Sequence, residues 1–301
     1  MNEKVFHVPV MSREVIEFLN PKLGGCFLDG TLGLAGHSAL IAERISESGH
    51  LIALDRDEQS LAIAKSTLSG FKGRLDLVHG DFCDFDVILK KLGVDAVDGM
   101  LFDLGISSFQ LDDPQRGFSF RSDGPLDMRM DQGNPVTAKD LVNTLAEEEL
   151  ANIIFNFGEE RFSRRIARAI VQYRSHRFIE TAKELEEIIF TSVPISYRRQ
   201  RLHPATRTFQ ALRIAVNKEL ESLNMIMAKC AGFLKVGGRI GVIAFHSLED
   251  RIVKDKFRAL SKDGVMSLVV KKPLRPSDEE IQTNPRARSA RFRVAERISC
   301  N

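Results

Sequence analysis

The chain of 301 residues has no tryptophan, two tyrosines and four cysteines. The cysteines (Cys26, Cys83, Cys230, Cys300) are scattered and form no C-x-x-C pair. Such spacing offers neither a zinc site nor a disulfide framework, and a reducing cytoplasm is the environment it fits. No stretch approaches the roughly 20 consecutive apolar residues of a membrane span. The opening MNEKVFHVPVMSREV lacks the apolar core of a signal peptide. Internal repeats and low-complexity tracts are also missing, which excludes a solenoid. A soluble cytoplasmic protein is expected, and its 43% apolar and 28% charged residues supply an ordinary core and surface.

Net charge is nearly absent too, at a formal +2, but its distribution is uneven. Residues 1–112 hold 17 acidic against 10 basic side chains, a balance of −7. Residues 161–213 hold 12 basic against 4 acidic, a balance of +8, and residues 271–301 add 8 against 4. One charge run is commonly a solvated helix face. Two basic segments beside an acidic half point instead to a phosphate backbone as partner.

Short apolar runs alternate with helical patterns over the first hundred residues. Cys26–Asp29, Leu51–Asp55, Leu75–His79 and Val97–Asp103 read as buried strands with acidic or polar ends. Helices are expected around Ser38–Ser46 and Ser60–Leu68 between them. This rhythm predicts a parallel sheet covered on both faces. From Leu111 to about Thr208 the strands stop and helix starts recur, with Thr137-x-x-Asp140, Thr144-x-x-Glu147 and Thr181-x-x-Glu184 reading as capping boxes. The α/β pattern is expected to resume with a long helix from about Pro204, presenting Phe209, Leu212, Val216, Leu220 and Leu223. Arg239–Phe245 reads as a fifth strand, Ser247-x-x-Asp250 as a helix cap, and Met266–Val270 with Arg291–Ala295 as antiparallel late strands. The division that follows is 1–110 and 209–301 for an α/β domain, with 111–208 as an all-helical insertion.

Chemistry gathers at the strand ends. Gly30, Gly33 and Gly36 form G-x-x-G-x-x-G after the first strand, and Asp55 ends the second. Glycines there let backbone approach a ligand, and a carboxylate in that place accepts the hydroxyls of an adenosine ribose. The pattern differs from the G-x-G-x-x-G that seats a pyrophosphate, so a dehydrogenase is disfavoured and S-adenosylmethionine suits the loop better. Asp81-Phe82 ends the third strand, where an apolar ring can cover an adenine and a carboxylate can take its amino group; Phe82 as a core residue is the alternative. The fourth strand delivers Asp103-Leu104-Gly105-Ile106-Ser107-Ser108 and then Gln110.

At this point a resemblance is evident. DGTLGLAGHS, LDRD, DLGISSFQLDD with RGFSF, DGPLDMRMD, GEERFSRRIARAI, HPATRTFQALRIAVNKEL, FHSLEDRIVK and NPRARSARFRVAER, in order over nearly the whole chain, resemble the ribosomal RNA small subunit methyltransferase H family. The resemblance implies a class I (Rossmann-like) methyltransferase sheet with an inserted helical domain, and S-adenosylmethionine as cofactor. It implies methylation of cytidine N4 in the decoding region of 16S ribosomal RNA, with that RNA, in the small ribosomal subunit, as partner. Family cofactor contacts carry over onto Ala35, Gly36, His37, Asp55, Phe82, Asp103 and Gln110. The family more often has Gly-Gly-His where this chain has Ala35-Gly36-His37.

For an exocyclic amine the enzyme must hold the nitrogen with acceptors and remove a proton. Asp103 is the candidate catalytic residue, with the Leu104 and Gly105 carbonyls and the Ser107 hydroxyl as further acceptors. The (Asp/Asn/Ser)-Pro-Pro-(Tyr/Phe) loop of DNA amino-methyltransferases is absent. His246 either faces the site or enters the next helix. For RNA, Arg161, Arg164, Arg165 and Arg168 are spaced i, i+3, i+4, i+7 as one face of a helix, and Arg207 extends the set, with Arg198, Arg199, Arg201 and Arg286–Arg293 as further basic groups. Neither metal nor membrane is called for, and a homodimer is compatible with the sequence. A non-catalytic RNA-binding assembly factor that keeps fold and cofactor is the rival reading.

Overall fold

The computed structural model describes residues 9–299; Cys300 and most of the N-terminal stretch considered above lie outside them. The chain divides into two compact units, one made of residues up to 105 and from 220 onward, the other of residues 106–219.

The first unit is built on a seven-stranded sheet. Its strands are β1 (Cys26–Asp29), β2 (His50–Asp55), β3 (Arg74–His79), β4 (Val97–Asp103), β5 (Leu234–Ala244), β6 (Met266–Leu268) and β7 (Arg291–Arg297). They lie in the order β3-β2-β1-β4-β5-β7-β6. The first five are parallel, while β7 runs antiparallel to both β5 and β6. Helices α1 (Ser12–Leu19), α2 (Gly36–Ile45), α3 (Glu58–Thr67) and α4 (Phe85–Lys91) belong to its first half. A strand's side chains alternate between faces. Thus Leu51 and Ala53 pack with Val15, Ile41 and Phe292, whereas Ile52 and Leu54 pack with Phe85, Phe102 and Val253. Strands buried on both faces must be apolar throughout, which is why CFLD and LIALD are legible as runs.

The late strands pair antiparallel as expected, and one late detail differs from expectation. β5 begins at Leu234, and Gly237 (φ 82°) lies within it where the pairing with β4 slips between Val97 and Gly99. β7 is inserted between β5 and β6, so β6 is the edge strand.

The second unit is helical: α5 (Ser108–Asp112), α6 (Ala138–Thr144), α7 (Glu147–Gly158), α8 (Ser163–Arg174), α9 (Ala182–Ser192), α10 (Ile195–Arg198) and α11 (Ala205–Asn217). Its own core includes Val142, Leu150, Ile154, Ile166, Ile170, Leu185, Ile189, Phe209, Leu212 and Val216. The long helix expected from Pro204 is therefore part of the helical unit, whose boundaries are 106–219 and not 111–208. Lys218 takes φ 50°, a left-handed break that divides that helix from α12 (Glu219–Lys229). The single apolar face read in sequence serves two cores, Phe209, Leu212 and Val216 one and Leu223 the other. After β5, α13 (Ser247–Lys262) and α14 (Asp278–Thr283) complete the first unit.

Helix starts follow hydrogen-bond supply. Thr137 with Asp140 and Thr181 with Glu184 form the expected capping boxes. Thr144 does not; its hydroxyl donates to the Asp140 carbonyl at 2.6 Å, and α7 starts after Ala146, whose N–H donates to Glu149 at 3.0 Å. Ser247 is also inside its helix. His246 is the cap of α13, and Glu249 Oε2 accepts from the Phe245 and His246 amides at 2.8 and 3.2 Å. His246 thus serves helix entry.

Candidate functional site

β1 ends in Asp29, only 1% exposed, whose Oδ2 accepts from the Ser38 hydroxyl at 2.7 Å and Oδ1 from the Thr31 amide at 3.1 Å. Burial pushes this carboxyl above its usual range, and the Ser38 and Thr31 bonds oppose that. A Cβ on Gly30 would fall 2.3 Å from the Phe102 ring, so the chain leaves β1 against β4 only as glycine. The loop then ties itself to β2. Leu32 N donates to the Leu54 carbonyl at 2.9 Å and Gly33 N to Asp55 Oδ2 at 2.7 Å.

Asp55 is both a loop fastener and a candidate ligand group. Its Oδ1 accepts from the Asp57 amide at 2.8 Å. Burial drives its pKa up to about 6 against the pull of the Asp57 and Gly33 hydrogen bonds. Each oxygen keeps a lone pair beyond these two bonds. Ala35 caps α2 with φ 66° and is fully buried. An L-residue in that conformation costs roughly 1–2 kcal/mol. Burying the methyl group returns about 0.8 kcal/mol, so alanine is tolerated.

His37, in the first turn of α2, meets the Val10 carbonyl through Nε2 at 2.8 Å and approaches Asp103 Oδ2 through Nδ1 at 3.7 Å. Asp103, at the end of β4, receives its place from Thr31, whose hydroxyl oxygen accepts the Asp103 amide at 2.6 Å. The Asp103 side chain is 25% exposed, yet its Oδ1 is buried and has no hydrogen-bond partner among the described residues. Burial first, then the charges of Asp29 and Glu249, hold this carboxyl well above the ordinary carboxylate range. Ala35, Gly36, His37, Asp55 and Asp103 are thereby brought together in one unit.

Phe82 lies just beyond β3, edge-on to Phe102 at 6.1 Å between centroids. The Arg56 guanidinium stands 4.6 Å from the Phe82 ring centre. Arg56 also pairs with Asp81 Oδ2 at 2.5 Å and donates to Ser222 at 2.8 Å, while Asp81 Oδ1 accepts from Cys83 N at 2.9 Å. Asp81 is thereby held by Arg56, Ser222 and the Cys83 amide, and its Oδ1 keeps a lone pair beyond the Cys83 bond. Gln110 belongs to the helical unit. It is 4% exposed and forms a capping box with Ser107, its Oε1 accepting from Ser107 N at 3.1 Å. The Ser107 hydroxyl accepts from Gln110 N and so acts as a cap.

Thr31, Ser38 and Arg56 were not singled out in sequence. Thr31 sits between glycines that draw attention to backbone, and Arg56 was signalled only by the aspartates on either side of it.

On the helical unit, Arg164, Arg165 and Arg168 line a cleft of about 580 Å³ with Ala169, Gln172 and Ser192. Arg161 does not share their helix face. Glu160, fully buried, accepts from the Phe162 amide at 2.8 Å and from the Tyr197 hydroxyl at 2.6 Å, so α8 begins only at Ser163. Arg161 stacks near the Phe162 and Tyr197 rings at 4.8 and 5.1 Å. Arg207 donates to the Glu159 carbonyl at 2.9 Å. Arg291 and Arg293 are held by Asp250 at 3.0 and 2.7 Å.

At the amino ends of the strands lies a different cluster. Cys26 Sγ is 3.6 Å from His50 Nδ1, and His50 Nε2 is 2.6 Å from Asp76. Burial pushes the Cys26 thiol up to about 11, so the array is a hydrogen-bonded tie across three strands.

A sheet of this order with a reversed β7, and a glycine loop and two carboxylates at its carboxyl edge, defines a class I methyltransferase. The chain belongs to the MraW methylase family, whose model matches residues 4–298. It is 48% identical to the ribosomal RNA small subunit methyltransferase H of Geobacter sp. (strain M21), over 98% of this chain and all of that protein. It is 50% identical to the protein of that name from Cyanothece sp. (strain PCC 7425 / ATCC 29141), over 99% of this chain and 97% of the relative. A solved putative rRNA-methylase from Clostridium thermocellum aligns over 95% of both chains at 13% identity and a TM-score of 0.45, too remote to carry an argument.

Proposed function

We propose that this chain is an S-adenosylmethionine-dependent methyltransferase acting on N4 of a cytidine in the decoding region of 16S ribosomal RNA, in the cytoplasm and within the small subunit. The observation that carries the reading is the convergence of the glycine loop, Asp55 and Asp103 at one edge of the sheet, in a chain of the MraW methylase family. The residues fit the cofactor. Asp55 retains acceptor capacity for a ribose diol, and the partnerless buried Oδ1 of Asp103 calls for a donor. Ala35, Gly36, His37 and Phe82 complete the proposed cofactor set. When bound, the cofactor supplies an electrophilic methyl group on a sulfonium.

The chain's own residues have three tasks. The tied loop and Asp55 hold the donor in place. Asp103 takes a hydrogen bond from the target amine and then its proton, because a cytidine amino group is a weak nucleophile whose lone pair is delocalised. The target base must leave its stack to reach these groups. The helical unit holds the RNA, with Arg164, Arg165 and Arg168 as the phosphate-binding face; Arg161, exposed off that face, and the half-buried Arg207 contribute less.

Radiolabelled methyl transfer to small subunits from a strain lacking the protein tests the reading. Labelled 16S RNA is expected, with N4-methylcytidine on nucleoside analysis. Tight binding of cofactor and subunits without transfer establishes the assembly-factor reading instead.

A further inference from the structure

We propose that Arg275 and Arg288 form an RNA-binding surface on the methyltransferase unit itself, which takes the phosphates flanking the target cytidine. This surface rests on the RNA reading given above and is separate from the arginine face of the helical unit.

The register of the sheet places it. Asp103 of β4 pairs with Ile243 of β5, Ile243 with Phe292 of β7, and Phe292 forms an isolated bridge with Leu274. Two backbone hydrogen bonds of 2.9 and 3.0 Å close that bridge. The four residues stand in one row, and at about 4.8 Å per strand Leu274 lies about 15 Å from Asp103. The next row towards the carboxyl edge holds Ala244, Arg291 and then Arg275. Arg275 is therefore at the edge that carries the glycine loop and Asp103.

Arg288 reaches the same edge by another route. It sits in a short turn, Pro285–Ser289, directly before β7. Ala287 and Ala290 are buried at 0% and 1% exposure in the core that contains Ile243 and Phe292, while Arg286 and Arg288 are exposed on either side of Ala287. The small residues pin the turn and the long ones project from it. Its backbone is closed by Ala287 N donating to the Asn284 carbonyl at 3.0 Å and Ala290 N to the Ala287 carbonyl at 2.8 Å. A cation presented from a fixed backbone gives up less freedom on binding.

Charge decides the partner. Arg291 and Arg293 are tied to Asp250, whereas Arg275 and Arg288 are exposed and have no acidic partner among the described residues. Of the nearby acids, Glu280 accepts from Met11 N at 2.7 Å, and Asp278 and Glu279 lie in the first turn of α14, before the arginine turn begins. A cytidine turned out of its stack towards Asp103 brings the phosphates on both sides of it to this edge. Asp29, Asp55 and Asp103 repel those phosphates, so cations are required beside them, and guanidinium forks match phosphate oxygens.

The test is the Arg275→Gln/Arg288→Gln protein. On a short labelled single-stranded RNA centred on the target cytidine, Kd should rise about tenfold or more. The slope of log Kd against log salt should fall by about 1.4, at about 0.7 per phosphate contact. Melting temperature and S-adenosylmethionine affinity should match the parent. Uncharged methylphosphonates at the two linkages flanking the cytidine should weaken the parent to a similar extent and leave the double variant little changed, because both perturbations remove the same contacts. An unchanged salt slope overturns the proposal, and so do methylphosphonates that weaken parent and variant alike. If the short RNA does not bind the parent, the salt slope on small subunits decides by the same criterion. A parent that binds RNA without methyl transfer refutes the proposed function instead, and the salt slope still decides the arginine surface.

Discussion

Replacing Asp55 with asparagine should stabilise the cofactor-free protein at neutral pH and not in acid. The folded pKa of about 6 stands above the ordinary 3.8. At 1.36 kcal/mol per unit, holding the ionised carboxylate in the fold costs about 3 kcal/mol relative to its acid. The folded state binds this proton more tightly than the unfolded chain, so its stability falls as pH rises between the two values and is lowest above the upper one. Asparagine removes the charge but turns an NH₂ group towards either the Gly33 or the Asp57 amide, sacrificing one of two bonds for roughly 1–2 kcal/mol. The net gain should be about 1–2 kcal/mol near pH 7.5. Near pH 4.5 only about 1 kcal/mol of the charge cost has yet developed, so asparagine should be neutral or mildly destabilising there. Amide hydrogen exchange in β1 and β2 reads this difference directly. Equal effects at the two pH values, or destabilisation at both, would refute the account of Asp55. The same variant should bind S-adenosylmethionine more weakly in calorimetry, trading function for stability.

Two further outcomes follow from the surface and the thiols. Changing Arg164, Arg165 and Arg168 together to glutamine should weaken subunit methylation and flatten its dependence on salt, while melting temperature and cofactor affinity stay put, since all three side chains are exposed. Unchanged methylation at physiological salt would reduce the cleft to a solvated face. Alkylation at about pH 8 should be about a hundredfold slower at Cys26 and Cys83, and about a thousandfold slower at Cys230, in the native protein than in urea, because burial pushes their thiols up to about 11, about 11 and about 12. Rapid native labelling of Cys26, mapped by mass spectrometry, would show that His50 draws off its proton.

Much of the candidate site was legible because the residues concerned are local in sequence. The G-x-x-G-x-x-G turn, Asp55 and Asp103 each terminate an apolar run that is unmistakable when a strand is buried on both sides. Where two helix starts compete, the pattern was ambiguous. Thr144 and Ser247 both stand three residues before an acid, and the residue that caps depended on which amides were left without partners. The arginine stripe misled at Arg161 for a related reason, since a buried Glu160 bound to Tyr197 delays the start of α8.

The sequence by itself determined the parallel sheet, the interruption by helices, the acidic strand ends and the family. Periodicity and backbone chemistry act over a few residues, and that is all these features require. Only the tertiary structure decided that α11 belongs with the helices, because an apolar face of period 3.6 does not name the core that buries it. It also decided that Thr31 orients Asp103, that Arg56 claims Asp81, and that His37 meets Asp103 across a gap of sixty-six residues. Those contacts join strands and helices far apart in the chain, and their energies arise only once packing has removed the water between them.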